Sequence, residues 1–324
     1  MKILFVDSGN KVLPAPFVES QRLSLMNEDV LVNSFKIKGK GVIGYLKNIK
    51  LLKKELKREQ YDVIHAHYVY AAWLARLTFT SIPIVLSFMG TDVYGTVNRE
   101  GKTKLKGLIN TFLSILIQPL VAKIIVKSKN LSRYVYLRKK MKIIPNGVNL
   151  EKFKPINRSY CRDRLKIDNK KYIMFLGDKN NYRKNFNLLK QCINALAKKN
   201  IFLLEIPYPV DPKIVPLYLN ACDVVVLTSF LEGSPNIIKE AMACNQPIVS
   251  TNVGDVEWVI GEVEGCFLSK YNHVDLTNKI IEAMSFKKTQ GRKKIKKLLL
   301  DEKDISKKIL KIYYESSKLT PNKN

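Results

Sequence analysis

Short apolar runs rich in Ile, Val and Leu recur along the chain and alternate with longer stretches whose apolar positions fall three and four apart. The runs Ile3 to Asp7, Val30 to Phe35, Asp62 to His67, Pro83 to Phe88, Lys123 to Ser128 and Lys142 to Pro145 predict strands. The same rhythm restarts with Tyr172 to Gly177, Phe202 to Ile206, Val224 to Ser229, Pro247 to Thr251 and Cys266 to Ser269. Strand and helix in alternation imply parallel sheets joined by crossover helices. Between the two series, Ile144 to Pro155 breaks periodicity with two prolines and a glycine, and marks a linker. We therefore expect two α/β domains, 1–150 and 156–302, with a C-terminal helix of about 303–317 that packs back on the first. Residues 318–324 look frayed.

At 324 residues the chain is long enough for two cores. Its five cysteines are widely spaced and never form CxxC, which argues against disulfides and zinc and for a reducing cytoplasm. The N-terminal run ends in an acid, not in a signal-peptide cleavage site. The longest apolar stretch, Leu108 to Val126, carries Asn110, Gln118, Pro119 and Lys123, so helix, turn and strand are expected in place of a membrane span.

The net charge of +28 changes the picture, because it favours a polyanionic surface. It is spread along the chain, with +16 in residues 1–150 and +12 in the remainder. Basic clusters at Lys36 to Arg58, Lys102 to Lys142 and Lys287 to Lys311 mix with apolar residues at helical spacing, as in basic amphipathic helices. An anionic membrane face is the expected partner. A nucleic-acid-binding protein is the alternative that charge alone suggests, but no recognised binding motif accompanies it.

Candidate chemistry gathers after the strand Val224 to Ser229, in the segment Glu232-Gly233-Ser234-Pro235-Asn236-Ile237-Ile238-Lys239-Glu240. A loop turns there and a helix begins, with Ser234 read as N-cap and Pro235 as the first helical residue. Free amides at a helix start, with the dipole behind them, suit a diphosphate. Glu240 lies about 7 to 8 Å further along the axis, a separation that suits a ribose. Glu232, in the loop, is placed to accept hydrogen bonds from sugar hydroxyls.

This segment resembles the E-x7-E signature of glycosyltransferase family 4, and the resemblance extends to Val215 to Asp223, to Asn146-Gly147-Val148 and to Ser87 to Asp92. It implies a GT-B fold, two Rossmann-like doubly wound parallel-sheet domains facing a central cleft. It also implies a retaining, metal-independent transfer from a nucleoside diphosphate sugar, with no cofactor. Glu232 is the catalytic residue it implies, and Gly233, Ser234, Pro235, Asn236 and Glu240 are donor-binding. Relatives carry Arg-x4-Lys after the first strand of the second domain. This chain offers Lys179 and Lys184, with Arg183 an alternative for the missing arginine.

In the first domain the resemblance points to Gly9, His67, Gly90 and Asp92 as cleft or acceptor contacts. Met89 stands where many relatives have histidine, and the loop Ser8 to Pro16 keeps only Gly9 of the usual adjacent glycines. His65 and His67 flank Ala66 at a strand end and are expected to divide, one buried and one facing the cleft; His67, nearer the carboxyl end, is favoured as the acceptor contact, with a core or capping role as the equal alternative. Asp92 is equally a turn cap. The expected acceptor is a saccharide or lipid-linked saccharide at the cytoplasmic membrane face. A catalytically silent partner subunit is the second alternative, and a nucleotide-sugar epimerase or a phosphorylase on the same scaffold is a closer one.

Overall fold

A computed structural model of the chain describes residues 1–9, 16–39, 41–95, 97–103 and 105–317. It divides into two compact units: Met1–Thr96, Thr103–Asn146 and Glu302–Asn324 form the first, and Val97–Lys102 with Gly147–Asp301 form the second. The second unit is thus threaded into the first between its last strand and its last helix. The expected division at residue 150 differs from this at Val97–Lys102 and at residues 147–150, which group with the second unit.

The first unit is built on a six-stranded parallel sheet in the order β2-β1-β3-β4-β5-β6. Its strands are β1 (Lys2–Ser8), β2 (Leu31–Ile37), β3 (Val63–His67), β4 (Ile84–Phe88), β5 (Lys123–Val126) and β6 (Met141–Ile143). Leu4, Val6, Ile64, Ala66, Leu86, Phe88, Ile124 and Val126, alternate residues of four strands, make one face of the core. Helices Gly41–Arg58 and Val69–Arg76 cover that face through Leu52, Ala72 and Ala75. The opposite face, through Phe5 and His65, meets helix Glu302–Ser317 at Tyr313. Ser306 of that helix hydrogen-bonds Ser24 of helix Pro16–Met26 at 2.8 Å.

The second unit has a five-stranded parallel sheet in the order β11-β10-β9-β7-β8. Its strands are β7 (Lys171–Met174), β8 (Ile201–Leu203), β9 (Val224–Leu227), β10 (Ile248–Thr251) and β11 (Cys266–Ser269). β9 and β10 are buried throughout, as strands covered on both faces must be. The chain runs from β7 outward to β8 and then returns to place β9 on the other side of β7. The order therefore reverses between β7 and β9, and open α/β sheets bind ligands beyond the carboxyl ends of their strands at such a point. In the first sheet the reversal lies between β1 and β3.

All five cysteines are free and buried. The stretch Leu108 to Val126 resolves into helix Leu105–Leu116, a short 3-10 turn Gln118–Leu120 and β5, and no helix of the described residues is long and apolar enough to cross a membrane.

Candidate functional site

The loops that leave β7 and β9 meet at the reversal point of the second sheet. After β7, the Asn181 side chain accepts the Arg183 N–H at 3.1 Å and caps a 3-10 turn, Tyr182–Lys184, which Asn185 ends with a left-handed φ of 48°. After β9, Phe230 donates its N–H to the Arg183 carbonyl at 2.9 Å, and the Arg183 guanidinium donates to the Leu231 carbonyl at 2.9 Å. Thr228 Oγ1 donates to the Lys184 carbonyl at 3.0 Å. The two loops are thereby stitched together, and their charged side chains converge.

Glu232 is the point of convergence. Its Oε1 accepts from Lys184 Nζ and from Ser229 Oγ, each at 2.8 Å, and its Oε2 pairs with the Arg183 guanidinium. Burial pushes the Glu232 carboxyl up, but the Lys184 and Arg183 cations outweigh that and hold it below its ordinary value. The result is a largely buried carboxylate, ionised at neutral pH, between two cations.

The turn that follows is packed against the loop after β10. Gly254 has a φ of +61°, and a Cβ there would stand 2.7 Å from the Gly233 carbonyl oxygen, so only glycine allows the two backbones so close. Behind the turn lies a buried ion pair that sequence reasoning missed. Lys239 Nζ reaches Asp255 Oδ2 at 2.9 Å and Ser234 Oγ at 2.7 Å, and Ser234 donates to the same Asp255 oxygen at 2.7 Å. Lys239 is fully buried beside Ile237 and Ile238, on the covered side of the helix, and a lysine there requires a partner.

This arrangement corrects the expected cap. Helix Asn236–Ala243 starts one residue later, with Pro235 as N-cap at ψ 117° and no side-chain cap bond. Ser234 is drawn away by Lys239 and Asp255. Of the eight residues in this helix, only Asn236 and Glu240 are not buried, and four residues apart they share one face. That face, the first-turn amides and the Gly233 turn follow one another in the chain after β9. Lys179 is not part of it: its ammonium pairs with exposed Glu205 at 2.8 Å and lies over the Phe186 ring. Of the two candidates for the missing arginine, Arg183 is the one that lies beside Glu232 with Lys184. Around the rim, Phe230 stacks on Tyr271 with centroids 5.5 Å apart, and Arg99 of the inserted segment donates to Tyr182 Oη at 3.0 Å.

In the first unit the named residues lie at strand ends but mostly face inward. His65 and His67 do not divide: residues two apart on a strand share a face, and both rings are buried with centroids 4.2 Å apart. His65 is held by Tyr313 Oη at 2.5 Å and Ser87 Oγ at 2.8 Å. Burial keeps both imidazoles well below their usual pKa, so His67 is a neutral, enclosed ring and not an exposed acceptor contact. Gly9 donates its N–H to the Ile37 carbonyl at 2.8 Å, and a Cβ would lie 2.8 Å from that of Lys36; its lack of a side chain lets β1 close on β2. The neighbouring residues 10–15 fall outside the described residues.

Gly90, at φ 129°, turns the chain out of β4. Asp92 reaches back to accept the N–H groups of Met89 at 3.0 Å and Gly90 at 2.9 Å, and burial pushes its carboxyl up to about 6. It closes this turn. Among the described residues no three His, Cys, Asp or Glu side chains converge as a metal site.

Two family models match the chain: Glycosyltransferase Family 4 over residues 18–152, and Glycosyl transferases group 1 over residues 166–285. The chain is 25% identical over 268 residues to an Escherichia coli UDP-Gal:alpha-D-GlcNAc-diphosphoundecaprenol alpha-1,3-galactosyltransferase, covering 71% of this chain and 68% of that one. It is 25% identical over 259 residues to a putative teichuronic acid biosynthesis glycosyltransferase of Bacillus subtilis, covering 72% and 62%. Sucrose-phosphate synthase from Thermosynechococcus elongatus superposes with a TM-score of 0.76 at 16% identity, over 97% of this chain and 98% of that one. Anabaena HepE, solved in complex with UDP and glucose, superposes with 0.70 at 17% identity, over 97% and 100%. The fold is GT-B.

Proposed function

We infer that this chain, which belongs to the group 1 and family 4 glycosyltransferases, moves a sugar from a nucleoside diphosphate sugar to a hydroxyl acceptor with retention at the anomeric carbon and without a metal. The observation that carries the reading is Glu232, a buried carboxylate between Lys184 and Arg183 at the foot of a tight turn and an open helix start. The diphosphate lies along the amides of Asn236 and its neighbours, and Glu240, one turn on, accepts from the ribose. Phosphate oxygens compete with Glu232 for the two cations. As the bond to the leaving group lengthens, Lys184, Arg183 and the helix amides stabilise the charge on the departing diphosphate. Glu232, released from part of its pairing, then holds the hydroxyls of the electron-poor sugar.

The acceptor is a lipid-linked saccharide or a polysaccharide intermediate at the cytoplasmic face of a membrane. The diphosphoundecaprenol-linked acceptor in the E. coli relative's name and the charge of +28 support this. A thermal-shift panel of uridine, guanosine and adenosine diphosphates and their sugars tests the donor site, followed by nucleoside diphosphate release with the donor that shifts. One base is expected to raise Tm, and Glu232→Gln to lower turnover by at least about a hundredfold. No shift with any nucleotide, or near-normal turnover in the folded variant, removes the assignment.

A further inference from the structure

Helix Leu105–Leu116 turns most of its large apolar residues outward. Leu108, Ile109, Phe112, Ile115 and Leu116, spaced to form one stripe, are all exposed, with Phe112 at 59%. The side turned inward packs Leu113 on the core and is otherwise small and polar: Gly107 and Ser114 are buried, and Thr111 donates to the Val93 carbonyl at 2.7 Å. The stripe continues through exposed Leu120. A soluble helix buries its apolar stripe against its own core, and an outward stripe of this size marks a contact surface.

What borders the stripe defines the partner. Tyr70, itself part-exposed, hydrogen-bonds Asn110 at 2.6 Å and packs against Tyr45, whose helix exposes Ile43 and Leu46 and then Lys47 and Lys50. At the other end, Gln118 accepts the Tyr136 N–H at 3.0 Å, and exposed Tyr136 sits among exposed Arg133, Arg138 and Lys139. Lys140 donates to the Pro119 carbonyl at 2.9 Å. Residues 101–150 contain eleven Lys and Arg and no Asp or Glu. An apolar stripe edged by tyrosines and flanked by lysines and arginines matches an anionic lipid surface, with its acyl core, interface and headgroups. A second copy of the chain would bring like charge to like charge.

We propose that helix Leu105–Leu116 lies in the plane of an anionic bilayer, with Leu108, Ile109, Phe112, Ile115 and Leu116 among the acyl chains and the surrounding lysines and arginines on the headgroups. Twelve residues rise about 18 Å, too little to span. The proposal deepens the acceptor reading above by naming the surface that delivers the enzyme to a lipid-linked substrate.

The test is co-sedimentation with phosphatidylcholine vesicles, with and without phosphatidylglycerol. The wild-type chain is expected to bind the anionic vesicles and to retain part of that binding in high salt, because apolar insertion is not screened. I109D/F112D is expected to lose roughly tenfold or more in partitioning, while its Tm shift with the donor nucleotide stays at the wild-type value. Equal binding by the variant, loss of all wild-type binding in salt, or a wild-type dimer that the variant dissolves would each overturn the proposal. If I109D/F112D does not fold, Phe112→Trp serves instead: its emission must move to shorter wavelength with anionic vesicles beyond any change from Trp73 and Trp258. Nucleoside diphosphate release measured in parallel separates the two readings, since vesicle binding without turnover sinks the reaction and leaves the surface standing.

Discussion

Lys239→Met tests whether the turn at Gly233 to Pro235 is held from behind. Its ammonium is 2.9 Å from Asp255, with the side chains 0% and 5% exposed, and the other Asp255 oxygen, Oδ1, is buried with no hydrogen-bond partner. Removing the cation strands a buried carboxylate, which costs about 3–5 kcal/mol when one member of a buried pair is deleted. In a unit of this size that corresponds to a fall in Tm of roughly 6–20 °C. Asp255 makes no side-chain cap bond to the helix Val256–Ile260, so replacing it too adds no lost cap. The triple variant S234A/K239M/D255L takes out the whole polar group and is expected to recover most of the loss, since a buried pair replaced by apolar packing is often neutral. Urea unfolding of wild type and the two variants gives the stabilities, and calorimetry with the donor nucleotide shows whether K239M also weakens binding through a loosened turn. A K239M loss below about 1 kcal/mol, or a triple variant no more stable than the single, would show that the pair does not act as a unit.

Glu240→Ala is expected to raise the Kd of the donor nucleotide about tenfold, a charge-assisted hydrogen bond being worth about 1.5–3 kcal/mol, and unchanged affinity by calorimetry would remove it from the ribose. Lys184→Met takes away a cation that holds the Glu232 carboxyl down, so the acidic limb of the turnover profile should move to higher pH; a limb that stays in place detaches Glu232 from it. Asp92, raised from an ordinary 3.8 to about 6, binds its proton more tightly folded than unfolded, so it destabilises the fold as pH rises through that window. By up to about 3 kcal/mol, Asp92→Asn should gain stability relative to wild type between pH 4 and pH 7, and a difference that does not vary with pH refutes this. Lys179→Ala, which breaks only an exposed pair with Glu205, should leave turnover within about twofold.

The eleven strands of the described residues were legible because most are short runs of Ile, Val and Leu between helical stretches, as central strands of a parallel sheet covered on both faces must be; the edge strands β2 and β6 are more polar and more exposed. The Glu232 to Glu240 segment was legible too, because its glycine and proline punctuate the passage from strand to helix. What escaped was side-chain partnership across long separations. Nothing local to Lys239 points to Asp255, and nothing in Lys179 to Lys184 says which cation turns toward β9; that choice is made by the Phe230 to Arg183 backbone bond. Ser234 looked like a cap because its type and position fit, and a buried lysine out-competed the helix for its hydroxyl. The pairing of His65 with His67 on one face follows from strand alternation alone, and Tyr313, some 248 positions away, then closes over it.

The last helix of the first unit is made long after the sheet it covers. That sheet is complete at Ile143, yet Glu302–Ser317 follows only after the whole second unit has been synthesised. At about 5–20 residues per second, the face bearing Phe5 and His65 stands uncovered for roughly 8–30 s on the ribosome. The nascent chain therefore has a built-in interval of vulnerability to misassembly, and any truncation that removes the final sixteen-residue helix makes that interval permanent.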